Sequence, residues 1–221
     1  MCGRFTLLQT WREVWTFSKP FRGPSEECAP NYNIPPKATI PVIYTDEYGP
    51  IGSLMQWWLV PSWSKTPEVQ YSTFNAKSED AATKPAFRAP FRNRRCVIPA
   101  SGFFEWKKLD DGSKQPYYIT RADGKPMYFA GVWDRWHDEL DSCAILTVSA
   151  KTQMQQLHTR MPCILEVEQL ERWMDVHTTD VSAVQPMLHP APEGVLTMKP
   201  VDPRVGNVRN NDPALIEEKT V

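Results

Sequence analysis

The chain predicts an α+β protein: a single compact domain, mainly antiparallel β, with short flanking helices. Three observations carry this. Its 221 residues include 21 Pro, and proline serves neither helix interiors nor central strands. Short runs rich in apolar and aromatic residues recur through the middle of the chain. Turn signals such as Asp110-Asp111-Gly112 and Asp123-Gly124 break them up as hairpins would. No repeat, low-complexity tract or long linker divides the chain, so one domain is expected over residues 2–210, with 211–221 as a mobile tail.

In order, Gly3 to Leu7 reads as a strand. Gln9 to Phe17 reads as a helix, with Trp11, Val14 and Trp15 at helical spacing. Lys19 to Pro30 is a loop punctuated by proline and glycine, and Asn31 to Pro36 a rigid turn. Strands follow at Thr39 to Thr45 and Ser53 to Val60, then a short extended piece at Phe74 to Lys77. Ser78 is expected to cap a helix that ends before Pro85, with Glu79 and Asp80 in its first turn. Further strands read at Arg95 to Pro99, Phe103 to Lys108, Pro116 to Arg121, Met127 to Trp133, Ser142 to Ser149 and Val195 to Val201. Lys151 to Leu157 is a short helix. Val167 to Met174 and Val181 to Leu188 are amphipathic helices.

Bulk composition excludes several classes. A net charge of −1 means that a nucleic-acid partner needs a local basic patch. The five cysteines (Cys2, Cys28, Cys96, Cys143 and Cys163) include no C-x-x-C pair, which argues against a disulfide framework or a structural zinc site. A soluble protein of a reducing compartment is expected, with no secretory leader and no membrane span. Phosphate-loop, dinucleotide, zinc-protease and serine-hydrolase fingerprints are absent, and no cofactor or metal is expected.

Four polar positions could carry chemistry. With Met1 removed, Cys2 holds a thiol and an α-amine on adjacent carbons. The amine has a pKa of roughly 7.7–8.0 and so is partly unprotonated at neutral pH. Such a pair condenses with an aldehyde to an imine and closes to a thiazolidine. Taken alone, Cys2 is equally the residue that follows the initiator. Glu105 lies among aromatics in Gly102-Phe103-Phe104-Glu105-Trp106. Burial there would suit a general acid, and exposure would make it an ordinary strand glutamate. His158 in His158-Thr159-Arg160-Met161-Pro162 could move a proton or sit at the surface. Asn75 in Asn75-Ala76-Lys77 could orient an amine or simply shape a turn. Arg88, Arg92, Arg94 and Arg95, with Arg4, Lys77 and Arg160, could line a groove for single-stranded nucleic acid, with Phe87, Phe91, Trp57, Trp58, Trp63 and Trp106 as stacking surfaces. They equally fit a solvated charged face over an aromatic core.

These segments occur in an order that resembles one family. They are Met1-Cys2-Gly3-Arg4-Phe5, Tyr32-Asn33-Ile34-Pro35-Pro36, Trp58 to Trp63, Asn75 to Glu79, Arg95 to Pro99, Gly102 to Trp106, His158 to Pro162 and Val205-Gly206-Asn207. Together they resemble the SRAP (SOS response-associated peptidase) family of abasic-site processing proteins. The resemblance implies a barrel-like mainly β fold and loss of Met1, either by self-cleavage or by an aminopeptidase. It also implies a covalent thiazolidine between Cys2 and the ring-opened abasic sugar in single-stranded DNA or at single-strand/double-strand junctions. Cys2, Asn75, Glu105 and His158 match the family's catalytic positions. Arg4, Asn33, Trp58, Lys77, Trp106 and Arg160 match positions expected to hold DNA. Lys77 stands where many members have Arg, which keeps the charge and loses the bidentate fork. A cytoplasmic, nucleoid-associated monomer acting in the DNA damage response is implied, with autopeptidase and lyase side activities. Two other readings stay open: an N-terminal-nucleophile thiol peptidase, and a non-catalytic single-strand binder.

Overall fold

The structure is a computed structural model that describes residues 2–17, 22–23 and 29–219. Its elements run β1 (Phe5–Leu7), α1 (Trp11–Phe17), β2 (Asn31–Ile34), β3 (Thr39–Asp46), β4 (Gly49–Gln56), β5 (Asn75–Lys77), α2 (Ser78–Ala81), α3 (Arg88–Asn93), β6 (Arg95–Ala100), β7 (Gly102–Lys108), β8 (Lys114–Arg121), β9 (Met127–Trp136), β10 (Leu140–Ser149), β11 (Arg160–Pro162), β12 (Ile164–Leu165), α4 (Leu170–Met174), α5 (Val181–Val184) and β13 (Leu196–Pro200). Single 3₁₀ turns fill several connections, among them Thr152–Gln156, Pro203–Gly206 and Pro213–Ile216. The α+β, mainly antiparallel expectation holds.

Two sheets organise the chain. The smaller has the order β13-β8-β7-β1-β2, and the larger runs β11-β10-β4-β3-β6-β9-β12 with β5 on β10. In the larger sheet β9 also pairs with β10, so the strands bend round toward a barrel. The β10–β4 seam is one parallel pair, Ser142 opposite Gln56, so the ring is not closed as a true barrel.

The core lies between the sheets. Phe5 meets Trp57 edge-on at 5.1 Å and Phe129 at 6.0 Å, and Phe103 meets Phe129 at 6.0 Å. Each such pair adds about 0.5–1.5 kcal/mol beyond its buried area. Alternation along β7 sends Phe103 to this core. Phe104 goes to a second cluster with Tyr118, Val201, Val205 and Leu215. Gly102 is required where β7 begins, because a Cβ there would lie 2.5 Å from the Tyr118 ring.

Several local expectations are corrected. Asn31–Ile34 is strand β2, paired antiparallel with β1, and the turn comes only afterwards. Strand β4 starts at Gly49 and stops at Gln56, four residues earlier at each end than its apolar pattern suggested. Asp123-Gly124 joins β8 to β9, which lie in different sheets, so it is a crossover turn and not a hairpin. Ser78 is the first residue of α2; the preceding residue, Lys77, has no side-chain cap. The α1 start does have a reciprocal cap: Thr10 N donates to Glu13 Oε2 at 2.8 Å and Glu13 N to Thr10 Oγ1 at 3.2 Å. The expected Lys19 to Pro30 loop and Cys28 fall largely or wholly outside the described residues. Cys2, Cys96, Cys143 and Cys163 are free and buried.

The stretch after residue 210 packs against the domain at several points through 219. Leu215 is fully buried in the second cluster. Asn211 Oδ1 accepts from Tyr32 N at 2.7 Å, and Lys219 N donates to Pro200 O at 2.9 Å. An apolar anchor flanked by hydrogen bonds outweighs the chain entropy that a polar tail would keep. No helix among the described residues is long and apolar enough to cross a membrane.

Candidate functional site

Strand pairing brings Cys2 and Glu105 together. The β1–β7 register sets Phe5 opposite Phe103 and Thr6 opposite Gly102. One step on, Phe104 N donates to Arg4 O at 2.9 Å, so Glu105 follows beside the residues that precede β1. The Cys2 Sγ donates to the same Arg4 carbonyl at 3.7 Å. Cys2 is fully buried and Glu105 is 3% exposed. Burial drives the Cys2 thiol far above its ordinary range, and the adjacent Glu105 charge pushes it the same way. Burial also raises the Glu105 carboxyl, which favours its protonated form.

The larger sheet supplies Asn75. Strand β5 runs parallel to β10 with Asn75 opposite Ile145, and Asn75 Nδ2 donates to Cys2 O at 2.8 Å. A carbonyl only accepts, so the amide orientation is fixed. The buried Asn75 Oδ1 has no hydrogen-bond partner among the described residues, and an orphan acceptor of this kind costs about 1–3 kcal/mol unless a donor arrives. Phe74 braces this segment, because its carbonyl accepts from Trp57 Nε1 at 2.8 Å and from Ile145 N at 3.0 Å. Cys2, Glu105 and Asn75 thus form one constellation where the two sheets meet.

His158 is half-buried just before β11. Its Nδ1 accepts from Arg160 N at 2.9 Å, which leaves the proton of a neutral ring on Nε2. Burial is the main cause that holds its pKa below the ordinary value, so the ring is neutral at pH 7. Its hydrogen bonds to Arg160 tie it to its own loop.

The residues expected to hold DNA divide. Lys77 is exposed, and Trp58 is half-buried beside Phe74 with the Lys37 ammonium 5.0 Å from its ring. Trp106 is partly buried against the second cluster. Asn33 is buried and internal: its Nδ2 donates to Val205 O, Asn207 O and Asn210 O at 3.2, 3.0 and 2.9 Å, and its Oδ1 accepts from Arg4 at 2.6 Å. In this arrangement it offers no group to a ligand. Arg4 also donates to Val205 O at 2.7 Å and Gly206 O at 3.3 Å, which ties the far end of the chain to its first residues. Arg160 forms a fork with Glu79.

Two expectations fail here. Trp57 and Phe91 are fully buried, so neither is available as a stacking surface for bases. The basic segment does not present a row of free cations. Arg95 is buried and donates to the carbonyls of Trp173, Phe91, Arg92, Asp175 and Thr178 at 2.5–3.1 Å. Arg94 is paired with buried Asp134, while Arg88 and Arg92 are exposed.

No group of three or more His, Cys, Asp or Glu side chains among the described residues could hold a metal. Sequence reading did not single out Glu79 as a site residue, since an acid in a first helical turn is ordinary.

Residues 1–208 match the family described as SOS response associated peptidase (SRAP). The chain is 34% identical to the abasic site processing protein YoqW of Bacillus subtilis (strain 168), over 98% of this chain and 99% of that one. It is 30% identical to the abasic site processing protein HMCES of Xenopus tropicalis, over 86% of this chain and 67% of that one. The crystal structure of a protein from Bacteroides thetaiotaomicron superimposes with a TM-score of 0.87 at 22% identity, over 99% of this chain and 100% of that one, a likeness of fold.

Proposed function

This chain belongs to the SRAP family, and from that membership we propose that it processes abasic sites in DNA by bonding Cys2 covalently to the ring-opened sugar. The observation that most supports the chemistry is the buried constellation of Cys2, Glu105 and Asn75. Buried Cys2 cannot meet a DNA aldehyde, so the reaction requires the site to open when Met1 is removed.

The freed α-amine of Cys2 adds to C1′ of the aldehyde. The carbinolamine hydroxyl, protonated by Glu105, leaves as water to give an iminium ion that keeps its N–H, and the thiol adds to that carbon as its proton returns to Glu105. Aldehyde, amine and thiol become thiazolidine and water. Asn75, held by its bond to Cys2 O, offers Oδ1 to the amine. Glu105 enters protonated and donates to the departing oxygen. Its carboxylate then accepts the proton of a thiol that burial keeps un-ionised. Neutral His158 donates from Nε2 to the sugar oxygen during ring opening. Exposed Lys77 attracts the phosphates, whereas Arg4 has both terminal nitrogens committed to Asn33, Val205 O and Gly206 O. A single strand exposes the abasic sugar that a duplex would hide between stacked neighbours.

The test is a denaturing gel of the purified protein with single-stranded DNA carrying one abasic site, beside undamaged DNA, with the intact protein mass. A heat-stable shifted band with the abasic strand only, from protein lacking Met1, is the expected result. No band from protein that has lost Met1 moves the reading to a thiol peptidase.

A further inference from the structure

We propose that Glu79 is a positioning residue: by a two-pronged ion pair with Arg160 it fixes the loop that presents His158 and ties that loop to the segment that presents Asn75. Helix α2 follows β5 directly, so Glu79 lies four residues beyond Asn75. Its Oε1 and Oε2 accept from Arg160 Nη1 and Nη2, both at 2.8 Å, the parallel fork that gives the pair a fixed direction. The guanidinium is held from the other side as well. Nη1 donates to Ser149 Oγ at 3.2 Å and Nη2 to the Thr147 carbonyl, both on β10. Thr147 Oγ1 in turn donates to Ala76 O at 3.3 Å, back on β5. The main-chain N–H of Arg160 sets the His158 ring through Nδ1. A continuous set of bonds therefore runs from β5 and α2, across the end of β10, to the imidazole.

An exposed ion pair contributes little, but here the Arg160 side chain is only 13% exposed while Glu79 is 51% exposed. The cation is the buried, anchored partner and the carboxylate closes over it. A carboxylate beside Lys77 opposes DNA binding, so its presence is explained by geometry and not by contact with phosphate. Arg160, with both terminal nitrogens committed, has no fork left for a phosphate while Glu79 holds it. Neither Glu79 nor Arg160 need touch the substrate in this role.

The inference rests on the crosslinking reading, and two measurements separate the failure of one from that of the other. The first is the single-turnover crosslinking rate of the full chain at saturating abasic single strand, together with affinity for undamaged single strand. Glu79→Ala is expected to lower the saturated rate about tenfold, as a misplaced proton donor does, with affinity unchanged or higher. In a His158→Ala background the same substitution should cost nothing more, since both act through one group. Glu79→Gln, which keeps one accepting oxygen, should fall between. An unchanged rate, a loss recovered by more DNA, or losses that multiply with His158→Ala overturn the proposal. The second measurement is the ¹⁵N signature of the His158 ring in the DNA-free protein. Glu79→Ala should abolish the single-tautomer signature of an accepting Nδ1, and an unaltered ring overturns the proposal even if the wild-type chain forms no crosslink.

Discussion

Two regions drew attention in the sequence for their buried-or-charged polar groups, and they have opposite characters. The Arg88–Arg95 segment ends in a buried guanidinium whose donors reach five main-chain carbonyls, joining α3, α4 and the loop after α4. The Cys2–Asn75–Glu105 constellation is just as buried, but it holds a raised carboxyl, a raised thiol and an amide oxygen with no hydrogen-bond partner among the described residues. A buried polar group that is fully satisfied serves architecture. One kept under-satisfied stores free energy that a substrate can release. Charge density in the sequence does not distinguish them; hydrogen-bond satisfaction does.

The largest test of that contrast is Cys2→Ala. It should abolish the heat-stable crosslink and leave the thermal midpoint nearly unchanged, whereas Arg95→Met should give the reverse. Removing the guanidinium strands several carbonyls, each costing about 1–3 kcal/mol, so urea denaturation should show a loss of several kcal/mol in soluble, uncleaved protein. Equal loss of stability in both variants would erase the distinction.

Glu105→Gln sharpens it. Proton-transfer groups contribute about 10²- to 10⁴-fold, and the crosslinking rate should fall within that range. Its stability effect should have the opposite sign. A carboxyl whose folded pKa lies above its unfolded value binds more protons when folded, so its ionisation destabilises the fold as pH rises between the two values. Glu105→Gln should therefore be more stable than wild type at neutral pH and equal to it in acid. The wild-type rate should trace a bell, with its acid limb set by the Cys2 amine and its alkaline limb by Glu105. The variant should lose the alkaline limb.

Leu215→Ala probes the docked C-terminal stretch and should cost about 2–5 kcal/mol, as for a buried leucine, read from the denaturation midpoint. A tail that did not pack would show no change. The smallest effect is expected at Lys77→Ala. Binding to undamaged single strand should weaken, and the slope of log affinity against log salt should shrink by about 0.7 for one lost phosphate contact, with the saturated crosslinking rate preserved.

The strand pattern from Arg95 to Ser149 was legible because short apolar runs are separated by turn residues, and β7–β8 and β9–β10 pair as neighbours in sequence. The ordered motifs also pointed to Cys2, Asn75, Glu105 and His158, since their residue types suit imine chemistry. Period-two alternation placed Phe103 and Phe104 on opposite faces correctly. It could not tell that both faces are covered, since the second cover is the C-terminal stretch around Leu215. The same blindness hid the burial of Asn33, whose partners lie over 170 residues away at Val205, Asn207 and Asn210.

The sequence by itself determined the class of fold, the antiparallel strands and the reactive groups available, because backbone preference, side-chain period and chemical type are local properties. Tertiary structure alone decided which of those groups are satisfied. It turned Arg95 into a structural pin, gave Arg160 to Glu79, and set Asn75 on the Cys2 carbonyl with its oxygen unclaimed among the described residues. The reason is physical: burial and hydrogen-bond partnership depend on segments far apart in the chain, and those two quantities set whether a polar side chain holds the fold or awaits a substrate.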